Sequence, residues 1–310
     1  MLSRIAESLY WIGRYLERAE DTCRTVDVHQ QLLIDDPSVD QDAAARSLLT
    51  VMGAGDPRPD ASLEAEVMRL LCYDDASTCS IVTALGGARE AARRARETVS
   101  TEMWEAINTT WNAVRGGRLQ RMRPASMFRN VKERCAVIAG ISDSTMSHDQ
   151  AWHFLVLGRN LERADMTSRL LSSAAVSSGS QVAWVNVLRG CGAHHAFIRT
   201  YGGNTSDRDA AEFLLLDRLF PRSLVYTLAT AEQALAELDS GGRRTGFESD
   251  AQRQLGTARV SLEYRRPSEV LEDLPGRMAE LQRTLNHAGM AIAQRYFEGA
   301  APAQWMGGSW

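Results

Sequence analysis

The residues best equipped for chemistry in this chain come as two matching sets. Gly13-Arg14-Tyr15-Leu16-Glu17-Arg18-Ala19 and Gly158-Arg159-Asn160-Leu161-Glu162-Arg163-Ala164 each place a carboxylate among guanidiniums at the same spacing. Three uses suit such a set. Arg14, Arg18, Arg159 and Arg163 can grip an anionic group of a substrate or partner in bidentate fashion, with Glu17 and Glu162 orienting them. Alternatively, Glu17 and Glu162 can serve as acid and base in a closed polar pocket. The structural reading makes Glu17/Arg18 and Glu162/Arg163 an ion-pair network that fixes how two helices cross, because a buried charge must be paired. No residue is singled out as catalytic.

The elements carrying these sets read as helices. From Ser3 to about Leu33, the positions Ile5, Leu9, Ile12, Leu16, Ala19, Cys23, Val26 and Leu33 follow alternating steps of four and three. That is a heptad-like seam along a helix of roughly 45 Å at about 1.5 Å per residue. Arg14, Arg18 and Asp21 then lie on the far side with Tyr10 and Trp11, which implies that this face is covered too and that the helix is central. Along it, Arg14–Glu17, Arg18–Asp21 and Glu20–Arg24 are three or four residues apart, within reach of one another, and Arg159, Glu162, Arg163, Asp165 and Arg169 repeat the pattern. Further helices are predicted over 41–52, 62–73, 78–98, 101–115, 125–141, 148–177, 181–201, 207–216, 222–239, 248–264 and 268–298. Asp35-Asp36-Pro37, Gly116-Gly117, Gly202-Gly203-Asn204 and Gly241-Gly242 punctuate them, and no stretch alternates with period two.

Internal repetition organises the whole. Residues 13–26 align with 158–171 at an offset of 145, with eight of fourteen positions identical where chance gives about one. Asp74, Ser80, Val82 and Leu85 then match Asp217, Ser223, Val225 and Leu228 at an offset of 143. The expected fold is therefore all-α, a tandemly duplicated multi-helix bundle whose two long central helices are related by a pseudo-twofold. Its parts would be a first repeat over 1–145, a second over 146–298 and a tail over 299–310 anchored by Trp305 and Trp310.

Other constellations are weaker. Cys191, His194 and His195 fall on one face if 181–201 is one helix, three soft ligands without an evident fourth, so no metal site is assigned. None of the six histidines has a glutamate three residues before it, which excludes a ferritin-like di-iron bundle. There is no phosphate-binding Gly-Lys loop, dinucleotide fingerprint, His-Glu-x-x-His or Gly-x-Ser-x-Gly elbow, and no cofactor is expected. The stretch Arg89 to Glu97 is basic but interleaved with acids and reads as a solvated face. Ser100 opens a helix anchored by Trp104 and Trp111. Ala211 to Ser223 packs an apolar corner before Pro221, where Asp217 either caps or pairs with Arg222.

The net charge of −4 gives no bulk attraction to nucleic acid or anionic lipid. Hydrophobic residues make up 44%, enough for a folded core. Lys132 is the single lysine, so any lysine-dependent mechanism must use it. Five cysteines without a Cys-x-x-Cys pair read as reduced thiols. Arg4 and Glu7 interrupt the start before a signal sequence forms, and no run approaches the ~18 apolar residues of a membrane span. A cytoplasmic protein without membrane or nucleic-acid partners is expected.

The opening Leu2 to Glu20, with Ala88-Arg89-Glu90, Ser100 to Asn108 and Ala211 to Ser223, resembles the bacterial Alpha-E family over essentially the whole chain. The family motif falls on Glu17, Arg18, Glu162 and Arg163. The resemblance implies a tandem duplication and an association with circularly permuted ATP-grasp ligases and transglutaminase-like proteins in peptide synthesis or modification. The expected role is an accessory or co-catalytic subunit that binds the ligase or its peptide substrate. The alternatives are a stand-alone enzyme using the Glu/Arg residues and a plain helical scaffold.

Overall fold

In the computed structural model, which describes residues 1–176, 181–202, 206–239, 246–247 and 249–297, the predicted seam is buried. Ile5, Leu9, Ile12, Leu16, Ala19, Cys23 and Val26 line one face of helix α1 (Ser3–Asp35), while Leu33 near its end is half-buried. The far face is covered as well: Tyr10, Arg14, Glu17 and Asp21 are buried. A helix enclosed on both faces is central, and α1 packs most extensively against α8 (Gln150–Val176), the other motif helix.

Around this pair the chain folds as α2 (Gln41–Met52), α3 (Leu63–Met68), a π-turn over Arg69–Tyr73, α4 (Ile81–Arg94), α5 (Thr101–Arg115), α6 (Arg118–Arg121) and α7 (Pro124–Thr145). After α8 come α9 (Gln181–Gly190), α10 (His194–Tyr201), α11 (Asp207–Leu216), α12 (Leu224–Leu238), α13 (Asp250–Glu263), α14 (Pro267–Leu271) and α15 (Leu274–Tyr296). The fold is all-α, with no strand among the described residues. In the first half α1, α4, α5 and α7 pack side by side; in the second, α8, α12, α13 and α15 make the same set of neighbour contacts. One hydrophobic core joins both halves. The tail expected over 299–310 lies outside the described residues.

Glycine brings the central helices together. A Cβ on Gly13 would run into the carbonyl oxygen of Leu155 and lie 2.8 Å from the backbone N of Arg159. A Cβ on Gly158 would run into the carbonyl oxygen of Tyr10. The contact is reciprocal, since Gly13/Gly158 and Tyr10/Leu155 are both 145 residues apart. Only a residue without a side chain lets two backbones touch in this way.

Two helices predicted as continuous are broken: 268–298 is interrupted where α14 ends at Leu271 and Asp273 caps α15, and 181–201 is interrupted near Gly192. In the latter, α9 ends at Gly190, Gly192 takes a left-handed φ of +63°, and α10 starts at His194. Glycine suits the break twice over, by its left-handed φ and because the Arg24 guanidinium of α1 lies 3.1 Å from where a Cβ would be. Gly53 ends α2 with the same φ of +63°, 3.5 Å by the same measure from the guanidinium of Arg169 on α8. Each half thus ends a short helix on a left-handed glycine that faces an arginine of the other half. Pro221 lies before α12, outside the helix, as the predicted start at 222 implies. Ser223 caps α12 by accepting from the Tyr226 amide at 3.2 Å, as Ser80 caps α4 through Thr83 at 3.0 Å.

Candidate functional site

Helix α1 presents Arg14, Glu17, Arg18, Glu20 and Asp21 toward α8 and toward the turn before α12, and the motifs interlock instead of closing on themselves. Glu162 accepts from Arg14 Nε at 2.7 Å and from Arg18 through Nε at 2.6 Å and Nη2 at 3.0 Å. Glu17 accepts from Arg163 through Nε and Nη2, both at 2.7 Å, and has Arg222 Nη1 at 2.7 Å. The arginine of each motif therefore serves the glutamate of the other. Of the pairs expected along α1, only Glu20–Arg24 forms, at 2.7 Å. Its counterpart 145 residues on, Asp165–Arg169, forms at 2.9 Å. Arg14 and Arg18 turn across to α8, where one carboxylate receives both guanidiniums, a geometry that a partner on the same helix would not supply.

The remaining predicted residues divide. Arg14 also donates to the Tyr10 hydroxyl at 3.1 Å, and Arg163 to the Pro221 carbonyl at 3.2 Å. Arg159 leaves the interlock and reaches Ser142 at 3.2 Å and Asp143 at 3.5 Å. Lys132 pairs with Asp27 at 2.7 Å.

Sequence reasoning missed how central Arg222 is. Asp217 caps the turn through the amides of Leu219 (2.8 Å) and Phe220 (2.7 Å), leaving Arg222 to bridge Glu17, Glu20 (2.9 Å) and Asp21. No repeat signal marks it, since the residue 143 positions earlier is Cys79. Glu66 was also missed. It is fully buried and takes Arg69 at 2.7 Å and Arg58 at 2.8 Å, and chiefly the Arg69 hydrogen bonds hold its carboxyl down to about 2.

Electrostatics separate these acids. Glu17 and Glu162 are only 4% and 3% exposed. Burial alone would raise both, but Arg163 and Arg222 hold Glu17 down to about 2, and Arg18 with Arg14 does the same for Glu162. Asp21 goes the other way. Burial, helped by Glu17 and Glu20 and opposed by Arg222, pushes it up to about 8, and its Oδ2 has no hydrogen-bond partner among the described residues.

Space is scarce beside the interlock. The void bounded by Glu17, Glu20, Cys135 and Arg159 is about 20 Å³, room for a single water. The guanidiniums answer to carboxylates of the chain itself, and both glutamates stay ionised far below neutral pH. The arrangement is suited to clamping α1 and α8 in one register.

The Cys191, His194 and His195 set is dispersed by the helix break, and no group of three histidine, cysteine or acidic side chains is arranged to hold a metal among the described residues.

A family described as a predicted alpha-helical domain with a conserved ER motif, Alpha-E, matches residues 1–297. The chain belongs to the Alpha-E family. In this Alpha-E chain two Glu-Arg dipeptides, Glu17-Arg18 and Glu162-Arg163, meet in the interlock, while a third, Glu133-Arg134, lies on α7. Similar chains are an uncharacterized protein of Mycobacterium bovis and two uncharacterized proteins of Mycobacterium tuberculosis, each 26% identical. Each match covers 91% of this chain and 35% of the mycobacterial one, so this Alpha-E chain spans about a third of the length of those relatives. No solved structure matches.

Proposed function

We propose that this chain is an accessory or co-catalytic module of a peptide synthesis or modification system, and that it binds a circularly permuted ATP-grasp ligase or that ligase's peptide substrate. The observation that carries this reading is the length of the relatives: the matching segment is 35% of each mycobacterial chain, joined there to much more polypeptide. A module made in one chain with other protein is one that works beside other protein. The saturated glutamates fit an accessory role, since an acid held down to about 2 has lost its value as a general acid near neutral pH. The reciprocal glycine and Glu-Arg contacts support two copies of one unit about an approximate twofold, the boundary lying between α7 and α8. No helix among the described residues is long and apolar enough to cross a membrane, and the five cysteines are free. Both fit a cytoplasmic setting.

The test is co-expression with an ATP-grasp ligase from the same genome, followed by sizing of the complex and measurement of ATP-dependent peptide ligation with and without this chain. Co-elution together with faster ligation is expected. Separate elution and unchanged ligation would leave a plain scaffold, and turnover by the purified chain alone would favour the stand-alone enzyme.

A further inference from the structure

A sizeable cavity lies away from the Glu-Arg interlock, where the C-terminal halves of α1 and α8 meet α2 and α9. Its volume of about 430 Å³ is within the range of small-molecule sites, which runs from about 300 to 1,000 Å³. Both halves of the chain build it, from positions related by the same offset of 145. Thr25, Val28 and His29 line it from α1; Leu170, Ser173 and Ala174 line it from α8.

At these equivalent positions the halves have different chemistry. Thr25 stands where the other half has Leu170 and His29 where it has Ala174, while Val28 stands where it has Ser173, so the α1 wall is the more polar of the two. The α1 wall is built with care. His29 is only 7% exposed, and its Nε2 lies 3.0 Å from Glu64 Oε2. With Nε2–H donating to the Glu64 carboxylate, Nδ1 is the ring nitrogen left to accept. Thr25 has its hydroxyl proton on the Asp21 carbonyl at 2.8 Å, leaving acceptor lone pairs on that oxygen. Ser173 and Asn186 also line the cavity.

Asp40, at the start of α2, and Ser47 add a carboxylate and a hydroxyl, and the rest of the lining is apolar. Neither arginine nor lysine lines the cavity among the described residues, and the only ring is that of His29. An anionic ligand would find no counter-charge there, and a flat aromatic one no stacking partner. A hydrogen-bond donor on an alkyl chain meets acceptors on the α1 wall and apolar surface over most of the rest.

We propose that this cavity is a binding site for a small aliphatic molecule with one donor head, an amine or a hydroxyl, seated toward Thr25 and His29. The site does not depend on the accessory role proposed above, because it is formed by this chain alone.

Calorimetric titration of the full chain with 1-octylamine, 1-octanol and octanoate tests it. The amine and the alcohol bind with measurable heat, and octanoate at least about tenfold more weakly. Ala44→Phe fills the cavity from α2 and Ser173→Leu from α8, and each loses about tenfold or more in affinity for 1-octylamine while circular dichroism confirms a folded chain. His29→Leu narrows the gap between octylamine and octanoate. The proposal is overturned if none of the three ligands binds, if octanoate binds as well as the amine, or if folded Ala44→Phe and Ser173→Leu variants both bind octylamine like the parent chain.

Discussion

Arg163 donates two hydrogen bonds of 2.7 Å to Glu17, while Arg18, 145 residues before Arg163, donates at 2.6 and 3.0 Å to Glu162. Each helix thereby supplies both halves of the clamp that holds it to the other. Removing one carboxylate strands two guanidiniums in a buried site. Glu162→Gln leaves Arg14 and Arg18 facing a neutral amide, and breaking a buried pair on one side costs about 3–5 kcal/mol. Urea unfolding should show that loss. Arg46→Ala, at the exposed 3.7 Å pair with Asp42, should leave the midpoint unchanged. Equal effects from the two variants would mean that the interlock contributes nothing special.

The close approach of α1 and α8 makes a second prediction with an internal control. An alanine at Gly158 would place its Cβ against the Tyr10 carbonyl oxygen, and backbone cannot step aside as a flexible side chain can. Gly158→Ala and Gly13→Ala should each cost about 3 kcal/mol or more. Gly140 lies inside α7 with nothing within 4 Å of where a Cβ would stand, so Gly140→Ala should instead stabilise, by up to about 1 kcal/mol of helix propensity. Thermal melts of the three variants read both signs at once.

Much of this was legible in the residues because it is local and periodic. The spacing of Ile5, Leu9, Ile12 and Leu16 dictates a seam, Tyr10 and Trp11 opposite them dictate a covered second face, and the 13–19 and 158–164 repeats point to two equivalent helices. Partner choice was not legible. Arg14 is as near to Glu17 in sequence as on any helix, and only the crossing at Gly13 and Gly158 brings Glu162 closer to hand. Arg222 and Gly192 were illegible for the same reason, since each meets side chains of α1 from about 170 to 200 residues earlier, too distant for any helical period to register. The α2–α9 cavity was invisible for the same reason.

The thiols should sort by burial. Burial pushes Cys23 and Cys191 up to about 12 and holds Cys72 and Cys135 well above the usual thiol value. Cys79 is partly exposed beside the end of α2, its Sγ 3.2 Å from the Met52 carbonyl. Brief iodoacetamide treatment of the folded chain at pH 8, read by peptide mass spectrometry, should label Cys79 first, with the other four reacting only after unfolding. Early labelling of Cys23 or Cys135 would mean that α7 opens from α1 far more readily than this packing allows.

Asp21 should make the chain lose stability as pH rises through the neutral range. Its folded-state value of about 8 lies above the ordinary 3.8 of an aspartate, so between roughly pH 4 and 8 the folded chain holds a proton that the unfolded chain releases. Stability from this group is complete below that window and falls as pH climbs through it, because a third carboxylate must then ionise beside Glu17 and Glu20 with Arg222 shared among them. Glu17 and Glu162 act in the opposite sense and only at acid pH, their contribution fading as pH drops from about 4.5 toward 2. Asp21→Asn keeps the oxygen that Arg222 binds but cannot ionise. Its melting temperature should match that of the parent near pH 4 and exceed it at pH 9, with the difference opening between pH 4 and 8. Melting curves that stay parallel from pH 5 to 9 would show that Asp21 is ionised throughout, and that Arg222 outweighs the burial of its carboxyl.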